Sequence, residues 1–110
     1  MEHTNQLDKF VEKYISDILP KIKEKLNPKS VIIFGSRARN EGSEESDLDV
    51  LVVSDFFAGK RFLGRIPMML RMFRFQCPID YLCYSSEEFE IIKTTSIVVE
   101  EALNKGMHII

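Results

Sequence analysis

Two short apolar segments, each joined to a small polar motif, constrain the fold of this chain most strongly. Val31–Phe34 is a continuous apolar run that ends at Gly35 and Ser36. Leu48–Val53 follows Asp47 and is a second run, apolar except for Asp49. Runs of this length, rich in β-branched residues and bounded by polar or turn residues, predict buried strands of a sheet. The chain therefore places polar residues at one end of each of two predicted inner strands.

Helical periodicity dominates the N-terminal part of the chain. Apolar residues recur every three or four positions over residues 7–26, which predicts an amphipathic helix. Thr4 or Asn5 would cap its start. Pro20 would kink or restart the helix, because proline removes a backbone hydrogen bond, and Asn27–Pro28 would end it.

The second half of the chain predicts further helices and two further strands. The first is a helix that begins near Ile66–Pro67, with the proline in its first turn, and a strand over residues 78–84 follows it. Ser85 then caps a helix that continues, in one or two pieces, to Asn104 and stops before Gly106. The last element is a short strand over Met107–Ile110. This order predicts an α+β fold, in which helices pack on a small mixed sheet of about four strands.

Length and charge bound the class of protein. With 110 residues, 45% of them hydrophobic, and a net charge of −2, the chain predicts a single domain over residues 1–110 that is neither disordered nor globally basic. No apolar run approaches the about 18 residues of a membrane span, and the first residues lack the order of a signal peptide. Cys77 and Cys83 would lie about 20 Å apart on one strand, too far for a disulfide. We therefore expect a cytoplasmic protein without membrane association and with two buried thiols.

Asp47 and Asp49 form an acidic motif at the start of the second strand. Because side chains alternate along a strand, both point to one face, with Cα atoms about 6.6 Å apart. Two carboxylates this close repel each other unless a cation lies between them, and an all-oxygen ligand set suits Mg²⁺ or Mn²⁺. Asp80 interrupts an otherwise apolar strand and would need a partner if it were buried. If its strand lies beside the second strand, three carboxylates meet on one face.

Gly35 and Ser36 form the second motif. Glycine lets the backbone approach a ligand closely, and the serine hydroxyl and the amides that follow can hydrogen-bond phosphate oxygens. Arg37 and Arg39 add positive charge nearby. Each feature alone has a simpler explanation: an ordinary turn for Gly-Ser, a capped strand for Asp-x-Asp, and an ion pair for the third aspartate. Their order along the chain is more specific than any one of them.

The stretch Phe34–Arg39, followed by Ser46–Val52, resembles the minimal nucleotidyltransferases of the DNA polymerase beta superfamily. The resemblance covers nearly the whole chain and implies the palm-like nucleotidyltransferase fold. It implies that Gly35 and Ser36 grip the triphosphate of ATP or another nucleoside triphosphate. Many relatives have glycine where this chain has Asn40, and asparagine tolerates the left-handed backbone that such a turn needs.

The same resemblance implies roles for the charged residues. Asp47 and Asp49 would bind two divalent cations, Mg²⁺ or in its place Mn²⁺. Asp80 would bind one of these cations and help to deprotonate the acceptor hydroxyl. Arg37 or Arg39 would assist in holding the phosphates.

Small stand-alone members resemble the antitoxin half of two-gene toxin–antitoxin pairs, whose partner is an all-helical HEPN protein with ribonuclease activity. The resemblance therefore implies transfer of AMP from ATP onto a tyrosine of that partner, which silences it. We expect the partner to contact residues 56–76, a segment without acids that is rich in Met and Phe; the alternative is an ordinary amphipathic helix with a solvated basic face. Its basic residues are Lys60, Arg61, Arg65, Arg71 and Arg74.

Two other functions remain compatible with these motifs. The chain could inhibit a partner by docking alone, with its acids serving as a metal or nucleotide sensor. It could also modify a small molecule, as antibiotic-modifying nucleotidyltransferases do, with an acceptor pocket completed by a dimer or a second subunit. Direct nucleic-acid binding is disfavoured, because five charges on an otherwise acidic protein make a modest footprint. The motifs encode neither the nucleotide preference nor the oligomeric state.

Overall fold

A computed structural model describes residues 7–110, so the predicted caps Thr4 and Asn5 lie outside the described residues. In chain order the elements are α1 (Lys9–Asp17), α2 (Leu19–Leu26), β1 (Ser30–Phe34), α3 (Gly35–Ala38), β2 (Leu48–Val53), α4 (Phe62–Met72), β3 (Ile79–Tyr84), α5 (Ser86–Ile92), α6 (Ile97–Lys105) and β4 (Met107–His108). A 3-10 turn at Asp55–Phe57 follows β2. The predicted α+β fold with a small sheet is confirmed.

The four strands form one mixed sheet with the order β3-β2-β1-β4. β1 pairs antiparallel with β2 and with β4, whereas β2 pairs parallel with β3. A parallel pair requires a crossover connection, which α4 provides between β2 and β3. The end of β1 and the starts of β2 and β3 therefore meet at one end of the sheet.

Both faces of the sheet are covered by helices. Val50 and Val52 belong to a core with residues of α1, α2 and α4 on one face. Leu51 belongs to a second core with Val99 and Ala102 of α6 on the opposite face. Because β2 is buried on both sides, its apolar run is continuous instead of alternating, as expected for an inner strand.

The predicted N-terminal helix is divided into α1 and α2 at Ile18. Pro20 lies in the first turn of α2, where its missing N–H breaks no helical hydrogen bond, so the predicted restart is confirmed. Asp8 caps α1, since its carboxylate accepts a 2.8 Å hydrogen bond from the amide of Phe10. Asn27 ends α2 with a left-handed backbone, at φ +44°.

The predicted start of the helix near Ile66 is wrong, because α4 begins at Phe62 and Pro67 lies inside it. Proline at position 67 removes the hydrogen bond to the carbonyl of Leu63, one turn earlier. Leu63 and Pro67 are both exposed, so water can satisfy that carbonyl. The helix therefore continues through the proline.

The C-terminal region forms two helices, as one of the predicted alternatives had it. Ser85 caps α5, and α6 ends at Gly106, as predicted. The last strand is shorter than predicted, because only Met107–His108 keep the ladder geometry. The amide of Ile110 nevertheless donates to the carbonyl of Val31 at 3.2 Å, which holds the following residues against β1.

The two cysteines are free and buried, as predicted. Cys83 lies in β3, and burial raises the pKa of its thiol to about 12. Such a thiol stays protonated and unreactive at neutral pH.

None of the helices within residues 7–110 combines the length and apolarity that a bilayer crossing requires.

Candidate active site

Phe34, Asp49 and Asp80 lie side by side in one row across the sheet. In the strand register, Asp49 of β2 is the partner of Phe34 on β1 and of Asp80 on β3. Cα atoms of neighbouring strands are about 5 Å apart, and side chains in one row share a face. Asp47 immediately precedes β2, so alternation along the strand places it on the face of Asp49. The structure thus brings the three predicted aspartates to one end of one face of the sheet.

The Gly35 turn contacts this row directly. Gly35 has a φ of +78°, in the region that favours glycine. A Cβ atom at this position would overlap the Asp49 Oδ2 atom and would lie 3.0 Å from the Asp49 Cγ atom. Backbone conformation and space therefore both require glycine. The turn that follows ends at Asn40 with a φ of +60°, which confirms that asparagine takes up the left-handed backbone here.

The surroundings of Asp49 disfavour its charged form. The pKa of the Asp49 carboxyl is raised to about 6: burial is the largest cause, followed by the negative charges of Asp80 and Asp47. The positive charge of Arg39 acts in the opposite direction. A pKa raised by like charges is the condition that a bound cation would relieve.

Asp80 is exposed, which corrects the idea that it might be buried and in need of a partner. The reason is its position at the start of β3, which is an edge strand. Asp49 is half-buried and Asp47 is exposed. Among residues 7–110, no three acidic, histidine or cysteine side chains lie in an arrangement that could hold a metal ion as they stand. The donor set of three carboxylates, open to water and to phosphate oxygens, nevertheless has the chemistry that Mg²⁺ prefers.

A cleft of about 180 Å³ lies between the Gly35 turn and α6. Ser36 is half-buried in α3 beside the turn, and its hydroxyl makes no hydrogen bond to another described residue. Arg39 is exposed at the rim, where its Nε atom donates to Glu41 at 3.1 Å. The other residues that line the cleft are Phe34, Gly35, Ile97, Val98, Glu101 and Lys105. The cleft therefore joins an apolar wall to positive charge next to the carboxylate row.

Arg37 does not extend into this cleft. Its buried guanidinium donates to three backbone carbonyls within residues 43–46 at 2.8–3.1 Å and to Asp8 Oδ2 at 2.9 Å. These bonds shape the loop that leads into Asp47. The position of Arg37 therefore indicates loop support instead of the expected assistance to phosphate binding, and it leaves Arg39 as the arginine beside the carboxylates.

Sequence reasoning missed two ion pairs, Asp8–Arg37 and Arg65–Glu88. Arg65 is 2% exposed and donates to both carboxylate oxygens of Glu88, at 2.7 and 3.0 Å. This bond is the largest cause that lowers the pKa of Glu88 to about 2. Glu88 also completes a capping box with Ser85. The Ser-x-x-Glu spacing indicates that box, but nothing in the sequence pairs Glu88 with Arg65.

A family model described as "Nucleotidyltransferase domain" matches residues 15–107. That range includes the Gly35 turn and all three aspartates of the site. It excludes Asp8, which holds Arg37 from outside the matched segment.

Two curated relatives come from Methanocaldococcus jannaschii, and each is named a "putative protein adenylyltransferase". One is 57% identical and the other 52% identical over 42 residues, and each match covers 34% of this chain. The matched segment is 43% of each relative, so the chain spans less than half the length of these curated relatives.

The crystal structure of a "putative nucleotidyltransferase" from Sulfolobus solfataricus superimposes with a TM-score of 0.53. It is 24% identical in sequence, and the match covers 83% of this chain and 86% of that chain. At this identity the match concerns the fold alone. It shows that the mixed sheet with helices on both faces is a nucleotidyltransferase fold.

Proposed function

This chain belongs to the nucleotidyltransferase domain family, and from that premise we propose that it transfers AMP from ATP onto a hydroxyl group of a protein. The observation that carries the proposal is the row of Phe34, Asp49 and Asp80 against the Gly35 turn. The row supplies carboxylates that can bind cations, and the turn supplies backbone amides that no side chain covers at Gly35 and that can bind phosphate. A nucleotide triphosphate needs both on the same side of the sheet.

Asp47 and Asp49 are the residues that would hold two Mg²⁺ ions, with Mn²⁺ as a substitute, and Asp80 would complete the ligand set of one ion. Cations bound there would neutralise the phosphate charge and lower the pKa of the acceptor hydroxyl. Two observations support this assignment: the donors are all oxygen, and the pKa of Asp49 is raised by burial and by its acidic neighbours.

The acceptor hydroxyl attacks the α-phosphorus of ATP in line with the leaving group. The new oxygen–phosphorus bond forms as the bond from the α-phosphorus to the bridging oxygen breaks, and pyrophosphate leaves. Asp80, whose carboxylate is exposed, takes the proton of the hydroxyl as general base. The Ser36 hydroxyl and the amides of the Gly35 turn hold the β- and γ-phosphates, and Arg39 offsets their charge.

The choice of a protein acceptor is supported by the names of the curated relatives. It also agrees with the sequence resemblance to antitoxins of HEPN-type toxins. On this proposal the acceptor is a tyrosine of an all-helical HEPN-type partner in the cytoplasm, and AMP on that tyrosine silences the partner.

The direct test is to incubate the pure protein with α-labelled ATP, Mg²⁺ and a lysate of the source organism. We expect a labelled protein band that requires Mg²⁺ and disappears with Asp80→Asn and Asp47→Asn. Glu45→Gln is the matched control, because it neutralises an exposed acid of the same loop outside the carboxylate row. Equal labelling by the wild type and by Asp80→Asn would contradict the proposal.

Two further readouts, the activity of the partner and the label in the small-molecule fraction, separate the two other functions. If the triple Asp→Asn variant still neutralises the partner, docking alone explains the inhibition. If the label enters a small-molecule fraction and no protein band, the chain is a small-molecule nucleotidyltransferase. Either outcome replaces the proposed transfer to protein.

A further inference from the structure

Helix α4 is apolar on two opposite faces. Its inner face buries Met69 in the core and carries the buried Arg65. A surface helix ordinarily turns a polar face to water, and a helix that is apolar all round is covered on both sides. The outer face of α4 therefore has the composition of a surface that another molecule covers.

The outer stripe of α4 consists of Leu63, Pro67 and Leu70, spaced by four and then three residues on one side of the helix. Leu63 is 81% exposed and Leu70 is 42% exposed. Pro67 between them is exposed as well. This arrangement is a continuous apolar ridge with nothing from residues 7–110 packed over its centre.

The surroundings of the outer stripe are positively charged. No acid occurs between Asp55 and Asp80, and the side chain of Arg65 is buried in the core. The exposed cations of this segment are Lys60, Arg61, Arg71 and Arg74. None of the four forms an ion pair with another residue of the range 7–110. The stripe thus has uncompensated positive charge along its border.

A groove of about 340 Å³ runs from the outer stripe to the start of β3. It begins at Leu70 and Arg74 at the C-terminal end of α4, and it ends at Pro78 and Ile79. Ile79 immediately precedes Asp80 at the start of the edge strand β3, and because side chains alternate along a strand, the two side chains point to opposite faces of the sheet. A protein seated on the outer stripe would therefore reach the Asp80 carboxylate around the edge of the sheet.

From these observations we infer that the outer stripe of α4 is the docking site of the protein acceptor, which covers it with apolar side chains bordered by carboxylates. The inference rests on the proposed function, because it supplies the binding surface for that acceptor. A second copy on the same stripe would oppose like charges. A nucleic acid would pair with the arginines but would gain nothing from Leu63 and Leu70, whereas a protein with an acidic border uses both features.

The test compares labelling of the lysate acceptor by α-labelled ATP among surface variants of the full chain. Leu63→Asp/Leu70→Asp removes the apolar ridge, and Arg71→Glu/Arg74→Glu reverses the border charge. We expect each pair to lower the initial rate of labelling by at least about tenfold while the dissociation constant for Mg²⁺–ATP changes by less than about twofold. Leu63→Met, which keeps an apolar side chain at this position, should retain full labelling. Lys21→Glu/Lys25→Glu on α2 is the control with a matched charge change.

The possible outcomes separate this inference from the proposed function. Labelling that is unchanged in both α4 pairs, but lost in Asp80→Asn, overturns the docking site and keeps the transferase. An absence of any labelled protein overturns both. Label that is released by nuclease and depends on Arg71 and Arg74 overturns the protein partner in favour of a nucleic acid. Because Leu63 is almost fully exposed, its replacement leaves the core intact, and a melting curve verifies this for every variant.

Discussion

The backbone of Gly35 lies against the carboxylate of Asp49 so closely that no side chain fits between them. Gly35→Ala would push the carboxylate out of the row it shares with Asp80 and would strain a backbone held at φ +78°. We expect at least about a hundredfold loss of transfer, since small displacements of positioned groups have effects of this size. Initial rates of AMP transfer would measure it.

Gly59→Ala provides the matched control for that substitution. Gly59 has nearly the same backbone, at φ +80°, but a Cβ there would meet no atom within 4 Å. Its replacement should cost about 1 kcal/mol of stability and leave transfer unchanged. Equal activity losses in the two variants would show that backbone strain, and not the contact with Asp49, explains the first result.

Asp49→Asn should stabilise the metal-free protein at neutral pH. The pKa of Asp49 is about 6 in the folded protein, against an ordinary value of 3.8, so the folded state holds the proton more tightly. The stability that this proton provides is complete below pH 3.8 and is lost as the pH rises through about 6.

At pH 7.5 we expect the free energy of unfolding of Asp49→Asn to exceed that of the wild type by about 1 kcal/mol, a value reduced for the partial exposure of the carboxylate. At pH 4 the gain should vanish. Urea unfolding with a chelator present would measure both, and added Mg²⁺ should stabilise the wild type alone. A variant that is less stable than the wild type at pH 7.5 would contradict the prediction.

Glu88→Gln should destabilise the protein, because it leaves the buried guanidinium of Arg65 without its counter-charge. We expect a loss of about 2 kcal/mol, since solvent at the carboxylate weakens the pair. The pKa of Glu88 is about 2 against an ordinary 4.5, so its contribution is present above pH 4.5 and is lost as the pH falls towards 2. Thermal unfolding between these pH values would show the melting temperatures of the wild type and Glu88→Gln converge as the pH falls. Glu87→Gln, an exposed acid in the same helical turn, should change little.

Arg37→Lys tests whether this arginine supports the loop or binds phosphate. A lysine keeps the charge but cannot reach three carbonyls and Asp8 at once, so we expect the melting temperature to fall with a loss of about 2–4 kcal/mol. Amide exchange over residues 43–46 should accelerate. A variant that melts like the wild type but binds ATP less tightly would instead support a phosphate contact.

The strands and the carboxylate row could be predicted because their information is local. β1 and β2 are short apolar runs with their functional residues at the ends, and a parallel neighbour is enough to bring Asp80 beside Asp49. The sequence predicts that Gly35 lets the backbone approach a ligand closely, whereas the structure shows that its backbone also lies against the Asp49 carboxylate, a contact that only the folded pairing reveals.

The two ion pairs could not be predicted, because they depend on tertiary contacts between residues far apart in sequence. Arg65 looked like one of five surface cations, yet its partner Glu88 lies across the β3 strand and its guanidinium is in the core. Arg37 looked like a phosphate ligand because of its place beside Ser36. The start of α4 could not be predicted because proline usually lies in the first turn of a helix. Here Pro67 lies inside the helix, because the carbonyl of Leu63 that it leaves without a partner is open to water.

The pairing of β1 with the residues after α6 affects how the protein is made. Ile33 pairs with Met107, and Val31 exchanges hydrogen bonds with Ile110, so the outer edge of the strand that leads into the Gly35 turn is paired only by residues that follow α6. On the ribosome, β1 has an unpaired edge until those residues emerge. We expect nascent chains to be inactive and to need protection from strand-to-strand association until residues 107–110 have emerged from the ribosome.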